Sequence, residues 1–243
     1  MDGERQTLAR YPARSQPQRT QALPHLHRRR SPGWLRYGDG EIAKRSFDIL
    51  FASAVLMLCA PLYSLIALLI FTTTRGPIFF IQERVGLAGR RFRCIKFRTM
   101  VINADAMLAE LVASSPALQQ EFQDNYKLKQ DPRITAIGQF LRTTSLDEFP
   151  QFWNVLRGDM SVVGPRPLVP EELPRYGDAI PTVLRVRPGI TGLWQVSGRN
   201  DIPYQRRVRM DAWYSRYRTF QLDLWIIVRT LGVIIKPGGS GAY

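Results

Sequence analysis

The sequence predicts an α+β fold, mostly helical with a small β element, and membrane-associated. Three observations lead there. Ile49 to Thr74 form a 26-residue run with no charged side chain, longer than the ~20 residues a helix needs to cross a bilayer. Strand-like patterning is confined to two short segments within residues 78–98. Elsewhere apolar residues recur at helical spacing, ending in two aromatic-rich segments near the C-terminus.

Composition narrows the chemistry. Lys and Arg total 34 against 20 Asp and Glu, a formal net charge of +14. Such a balance calls for an anionic partner: nucleic acid, an anionic membrane surface, or phosphorylated substrates. A membrane-anchored nucleic-acid-binding protein or a scaffold would meet the same charge, yet no helix-turn-helix, finger or RNA-binding signature is present. Cys59 and Cys94 form neither a disulfide framework nor a metal-binding spacing. The two histidines, His25 and His27, both lie in the N-terminal tail. Acid–base work in the folded part must therefore fall to carboxylates or lysines.

In chain order, residues 1–42 read as a disordered basic tail, with scattered prolines and the run Arg28-Arg29-Arg30. The apolar run that follows starts too late and lasts too long for a signal peptide. Residues 43–75 hold that run, with Pro61 at its middle, where a helix loses a hydrogen bond and bends. Basic residues flank it on both sides, Lys44 and Arg45 before and Arg75, Arg84 and Arg90 after. A single crossing cannot put both flanks in the cytoplasm. An ordinary anchor and a helix that bends and leaves by the face it entered both remain open on these grounds.

Residues 76–243 read as a folded domain. Ile78 to Gln82 is a short strand candidate, and Arg91 to Arg98 alternates apolar and basic residues, which predicts a strand with one basic face. Asn103 to Ser114 reads as an amphipathic helix capped by Asn103 and ended by Pro116. Leu118 to Lys129 reads as a polar second helix, and a short segment follows over Ile137 to Arg142. Tyr204 to Tyr217 is a helix dense in Arg and aromatic residues. Leu222 to Ile235 is too short to span and suits either an interfacial or a buried position.

The chemistry centres on Ser145-Leu146-Asp147-Glu148-Phe149-Pro150. Ser145 and Glu148 have capping-box spacing, while Pro150 pushes the helix start toward Asp147 or Glu148. Either way, two carboxylates stand at the mouth of a helix in a basic chain. The Phe149–Leu156 helix is stopped by Gly158. Gly164-Pro165-Arg166-Pro167 forms a turn presenting Arg166. A second turn spans Arg187 to Gln195, followed by Ser197-Gly198-Arg199-Asn200, with glycines expected to let the backbone approach a ligand. None of these is a Walker or Rossmann fingerprint.

Taken jointly and in order, Lys44-Arg45-Ser46-Phe47-Asp48, Lys96-Phe97-Arg98-Thr99-Met100, Ser145-Leu146-Asp147-Glu148, Gly164-Pro165-Arg166-Pro167 and Arg187-Pro188-Gly189-Ile190-Thr191-Gly192 resemble the monotopic phosphoglycosyl transferases, or bacterial sugar transferases. The likeness covers about residues 43–243 and leans toward the short exopolysaccharide hexose-1-phosphate transferases. It implies one re-entrant N-terminal helix over residues 43–75, with Ala60-Pro61 where the family bends at Ser-Pro, and a cytoplasmic catalytic domain over residues 76–243 with interfacial C-terminal helices. It implies transfer of hexose-1-phosphate from a UDP-sugar to polyprenyl phosphate with release of UMP, on the cytoplasmic face of a bacterial inner membrane, in contact with membrane lipids. Asp147 is the implied nucleophile, Glu148 the implied ligand of Mg²⁺, and Lys96, Arg98, Arg142, Arg166, Arg187 and Arg199 the implied phosphate-binding residues.

Overall fold

A computed structural model describes residues 38–235 apart from 126, 127, 129, 199 and 200. The first 37 positions of the expected tail, and Arg199, lie outside the described residues. The fold is α+β, mostly helical with two small sheets.

The apolar run forms α1 (Gly38–Leu58) and α2 (Ala60–Thr74), whose axes are bent by 61°. The break falls at Cys59. Pro61 lies in the first turn of α2 and has no amide hydrogen, so the ladder cannot run through it. Among the described residues no single helix is long and apolar enough to cross a membrane, but this bent pair meets that requirement jointly by length and composition.

Strands β1 (Phe79–Val85) and β2 (Arg91–Phe97) form an antiparallel hairpin in which Phe80 faces Lys96 and Gln82 faces Cys94. This register corrects the expected single basic face. Arg91 and Arg93 occupy odd positions, whereas Lys96 is even, and successive strand residues point to opposite faces. The basic alternation changes phase at Ile95, so Arg91 and Arg93 are exposed on one face and Lys96 serves the other.

Two helices follow, α3 (Ala104–Ser114) and α4 (Pro116–Asn125). Asn103 stands at the start of α3 without a side-chain capping bond. Pro116 opens α4, a position where its missing N–H is not needed. Helix α5 (Ala136–Thr144) is capped by Thr135, whose Oγ1 accepts from Gly138 N at 3.0 Å. Helix α6 (Gln151–Arg157) ends at Gly158, which takes φ +87°. Strands β3 (Ser161–Val163) and β4 (Gly189–Thr191) pair in parallel, separated by the short helices α7 (Leu173–Tyr176) and α8 (Ile180–Val183). The chain closes with α9 (Tyr204–Tyr217) and α10 (Phe220–Ile235).

The glycines of the two turns have a different use from the one expected. A Cβ on Gly189 would lie 2.0 Å from Gly164 N, one on Gly164 would lie 2.5 Å from Arg187 O, and one on Gly192 would lie 2.4 Å from Gly164 O. They let the two turns pack backbone against backbone rather than admit a ligand.

Ala52, Cys94, Phe152, Val155, Tyr214 and Ile226 share one buried cluster that joins α1, β2, α6, α9 and α10. A second unites Ile66 and Ile70 of α2 with Phe97 and Leu141. Polar contacts set the alignment. Asn154, fully buried on α6, accepts from Ile95 N at 3.1 Å and donates to Arg93 O at 2.7 Å. Arg45 of α1 donates to Val155 O and Leu156 O at the end of α6, at 2.6 and 2.9 Å. Lys44 bridges buried Asp48 and Asp223 at 3.2 and 2.8 Å.

Removing a buried hydrogen-bonding side chain leaves its partners unsatisfied. Asn154→Ala is expected to cost about 2 kcal/mol, seen as a lower midpoint in thermal or urea unfolding.

Candidate functional site

Ser145 ends α5 in the left-handed conformation, φ 58° and ψ 18°, and its N–H bonds Arg142 O at 3.2 Å. The chain turns at once into a 3-10 turn, Leu146–Glu148, and Pro150 then leads into α6. The expected capping box does not form. Ser145 makes no side-chain capping bond, and the Glu148 carboxylate is engaged elsewhere. Its Oε1 accepts from Lys96 Nζ of β2 at 2.5 Å. No other side chain hydrogen-bonds the Asp147 carboxylate among the described residues.

These two carboxylates form part of the wall of a cavity of about 1920 Å³. Lys96, Arg98, Arg142 and Arg166 line it as well, so the structure brings together four of the predicted basic residues. Arg142 Nε donates to Thr99 Oγ1 at 2.9 Å and Arg98 Nε to Pro77 O at 2.8 Å. The Arg166 guanidinium lies 6.0 Å from the Trp194 ring centre, and that of Arg207 lies 4.9 Å from it. Arg187 is not brought to this wall. Its Nε donates to Gly158 O at 2.9 Å, so it serves the turn after α6 instead.

Arg84 is the residue that sequence reasoning missed. It is buried, lines the cavity, and donates to Pro167 O at 3.0 Å and to Gln82 Oε1 at 2.6 Å. It shares the Lys96 face of the hairpin, since Arg84 pairs with Phe92 two positions along from Gln82 and Cys94. The parity of Gln82 and Arg84 against Lys96 was the signal, hidden until the hairpin register was known.

The lining also includes apolar side chains, among them Phe51 and Val55 of α1 and Ile227 and Leu231 of α10.

The two carboxyls titrate apart. Burial, then the charge of Glu148, pushes Asp147 up to about 6 against the opposing pull of Lys96 and Arg142. Burial also pushes Glu148 upward, but Lys96, Arg166 and Arg84 outweigh it and hold its carboxyl below the ordinary range. Among the described residues no group of three or more His, Cys, Asp or Glu could hold a metal by itself. A carboxylate such as Glu148 suits a cation that brings most of its ligands with a substrate, as Mg²⁺ does with phosphates.

Residues 40–237 match the profile of the bacterial sugar transferase family. The chain is 46% identical over 199 residues to the UDP-galactose-lipid carrier transferase of Erwinia amylovora, covering 81% of this chain and 41% of that protein. It is 47% identical over 199 residues to the undecaprenyl-phosphate galactose phosphotransferase of Salmonella typhimurium, with the same two coverages. The exopolysaccharide production protein ExoY of Rhizobium meliloti is 45% identical over 201 residues, 83% of this chain and 89% of that one. The chain thus spans less than half the length of the first two relatives and most of the third.

A carboxyl raised by folding contributes stability at low pH that is lost as pH climbs through its folded value. Asp147→Asn is therefore expected to stabilise the fold relative to the parent, with the gap growing between about pH 4 and 6 and level above. Thermal unfolding midpoints measured across that range check it; a gap constant with pH would contradict the raised carboxyl.

Proposed function

Because the chain belongs to the bacterial sugar transferase family, we propose that it transfers hexose-1-phosphate from a UDP-hexose, glucose or galactose, to polyprenyl (undecaprenyl) phosphate. UMP is released, and the step is the first membrane step of exopolysaccharide synthesis. The observation that carries this reading is the unequal treatment of two neighbouring carboxylates. Lys96 locks Glu148, while Asp147 takes no side-chain hydrogen bond among the described residues and is more basic than usual.

In the proposed reaction an Asp147 oxygen attacks the phosphorus that bears the sugar. The bond from that phosphorus to the bridging oxygen breaks, and UMP leaves. An oxygen of polyprenyl phosphate then attacks the same phosphorus, frees Asp147 and yields polyprenyl diphosphate hexose. A carboxylate nucleophile divides one hard displacement into two easier ones. With a value near 6, Asp147 is ionised at neutral pH yet retains basicity for the attack. Lys96, Arg142, Arg166 and Arg84 would hold phosphate oxygens, for which guanidinium geometry is suited. Glu148 would hold Mg²⁺ together with diphosphate oxygens, where the metal neutralises charge on the phosphates.

Membrane placement is part of the proposal. Ile66 and Ile70 of α2 pack inward, while Leu65, Leu68 and Phe71 face outward. Both ends of the bent pair return to one folded body, through Lys44 and Arg45 at one end and β1 at the other. That supports a helix that re-enters the cytoplasmic leaflet of the inner membrane over one that spans it. The apolar lining residues would receive the polyprenyl chain, and the basic ones its phosphate.

Three measurements test these statements. Asp147→Asn should reduce UMP release from UDP-hexose plus polyprenyl phosphate by at least about a thousandfold, as loss of an enzyme nucleophile does. Clear residual turnover would remove Asp147 from the nucleophile role. Glu148→Gln should raise the Mg²⁺ requirement or abolish activity, and an unchanged metal dependence would take it out of the metal site. Cysteines placed at the exposed positions Ile42 and Arg75 should both label from the cytoplasmic side; labelling from opposite sides would mean a true span.

A further inference from the structure

A second groove, of about 540 Å³, lies between α9 and α10. Arg206, Arg209, Met210 and Trp213 line it from α9, and Leu222 and Trp225 from α10. It shares no lining residue with the cavity of Asp147 and Glu148.

The charge on these two helices is sorted by burial. Their acids are Asp211 and Asp223, and both are buried. Asp211 accepts from Tyr176 Oη at 2.8 Å, and Asp223 from Tyr214 Oη at 2.6 Å and from Lys44 at 2.8 Å. Arg206, Arg209, Arg216 and Arg229 are all exposed. Every exposed charge on α9 and α10 is therefore basic, and neither Arg206 nor Arg209 forms an ion pair among the described residues. Trp213 and Trp225 are 47% and 46% exposed at the groove. Beside them α10 exposes Leu224 and Val228, 41% and 66% exposed.

We propose that this groove seats the phosphate of an anionic phospholipid headgroup between Arg206 and Arg209, with Trp213 and Trp225 at the level of the headgroups. Guanidinium groups take phosphate oxygens in pairs. Tryptophan favours the boundary between hydrocarbon and water. The aliphatic run along α10 meets acyl chains, which neither a nucleic acid nor a free phosphate would supply. The inference rests on the membrane placement proposed above and adds a choice of lipid charge to it.

The test uses the full chain in nanodiscs containing brominated phosphatidylglycerol or brominated phosphatidylcholine at equal mole fraction. The expected result is stronger quenching of tryptophan emission by the glycerol lipid, with an enrichment of about fivefold for each arginine engaged. The double variant Arg206→Gln/Arg209→Gln should bring the ratio of the two lipids near one. Trp213→Phe/Trp225→Phe should remove most of the difference, which assigns it to the groove. Equal quenching in the parent overturns the proposal, as does a preference that the arginine variant retains, or one reversed by adding inorganic phosphate or single-stranded DNA. Sugar-phosphate transfer measured in the same nanodiscs separates the two readings. Transfer without lipid preference sinks this proposal alone, whereas failure to enter the bilayer sinks the membrane placement with it.

Discussion

Everything at the dyad depends on one amide. The Asn154 side chain takes the N–H of Ile95 and the C=O of Arg93, as a neighbouring strand would. It thereby fastens α6 to the outer edge of β2. Lys96 is the next residue but two along that strand from Arg93, and Glu148 lies just ahead of α6 on the other side of the joint. The 2.5 Å contact between them is therefore set by a backbone fixture rather than by two flexible side chains finding each other. Arg45 grips the far end of the same short helix. A seven-residue helix has little stability of its own, so these bonds and the surrounding core hold it.

In a chain of formal charge +14 several buried acids serve the scaffold. Asp48 and Asp223 meet at Lys44, which ties α1 to α10, and Asp48 also accepts from Ser161 Oγ and Val162 N of β3. These carboxylates are spent on the scaffold. Acids and bases both line the cavity, and the bases that act most on Glu148 are Lys96, Arg166 and Arg84. Lys96, Arg166 and Arg84 drive Glu148 toward ionisation, while Asp147, one residue away, carries the opposing cost of burial and of its neighbour's charge.

Much of this was legible in the sequence wherever a local pattern sufficed. The uncharged run, its break near Pro61, the hairpin, α9 and the position of the dyad all follow from spacing and from residue type. What failed did so where long-range pairing decides. The basic alternation in β2 shifts phase at Ile95, a one-residue change that moves Lys96 to the opposite face from Arg91 and Arg93. Arg84 gained its place only through that register. The glycines of the two turns looked suited to a ligand, but each is filled by the backbone of the other turn. Arg187 looked like Arg166, an arginine beside Gly and Pro, but its guanidinium is held by Gly158 O while Arg166 lines the cavity.

The hydroxyl of Tyr63, on α2, donates to Phe149 O at 2.6 Å, one residue past Glu148. Around it, Ile66 and Ile70 complete a cluster with Phe97 and Leu141. A soluble fragment begun after α2 would thus strip the lid from that cluster, orphan the Phe149 carbonyl, and release the end of α6 from Arg45. The bent helix pair is a wall of the folded body that carries Asp147 and Glu148, and trimming it for convenience of expression would dismantle the cavity it borders.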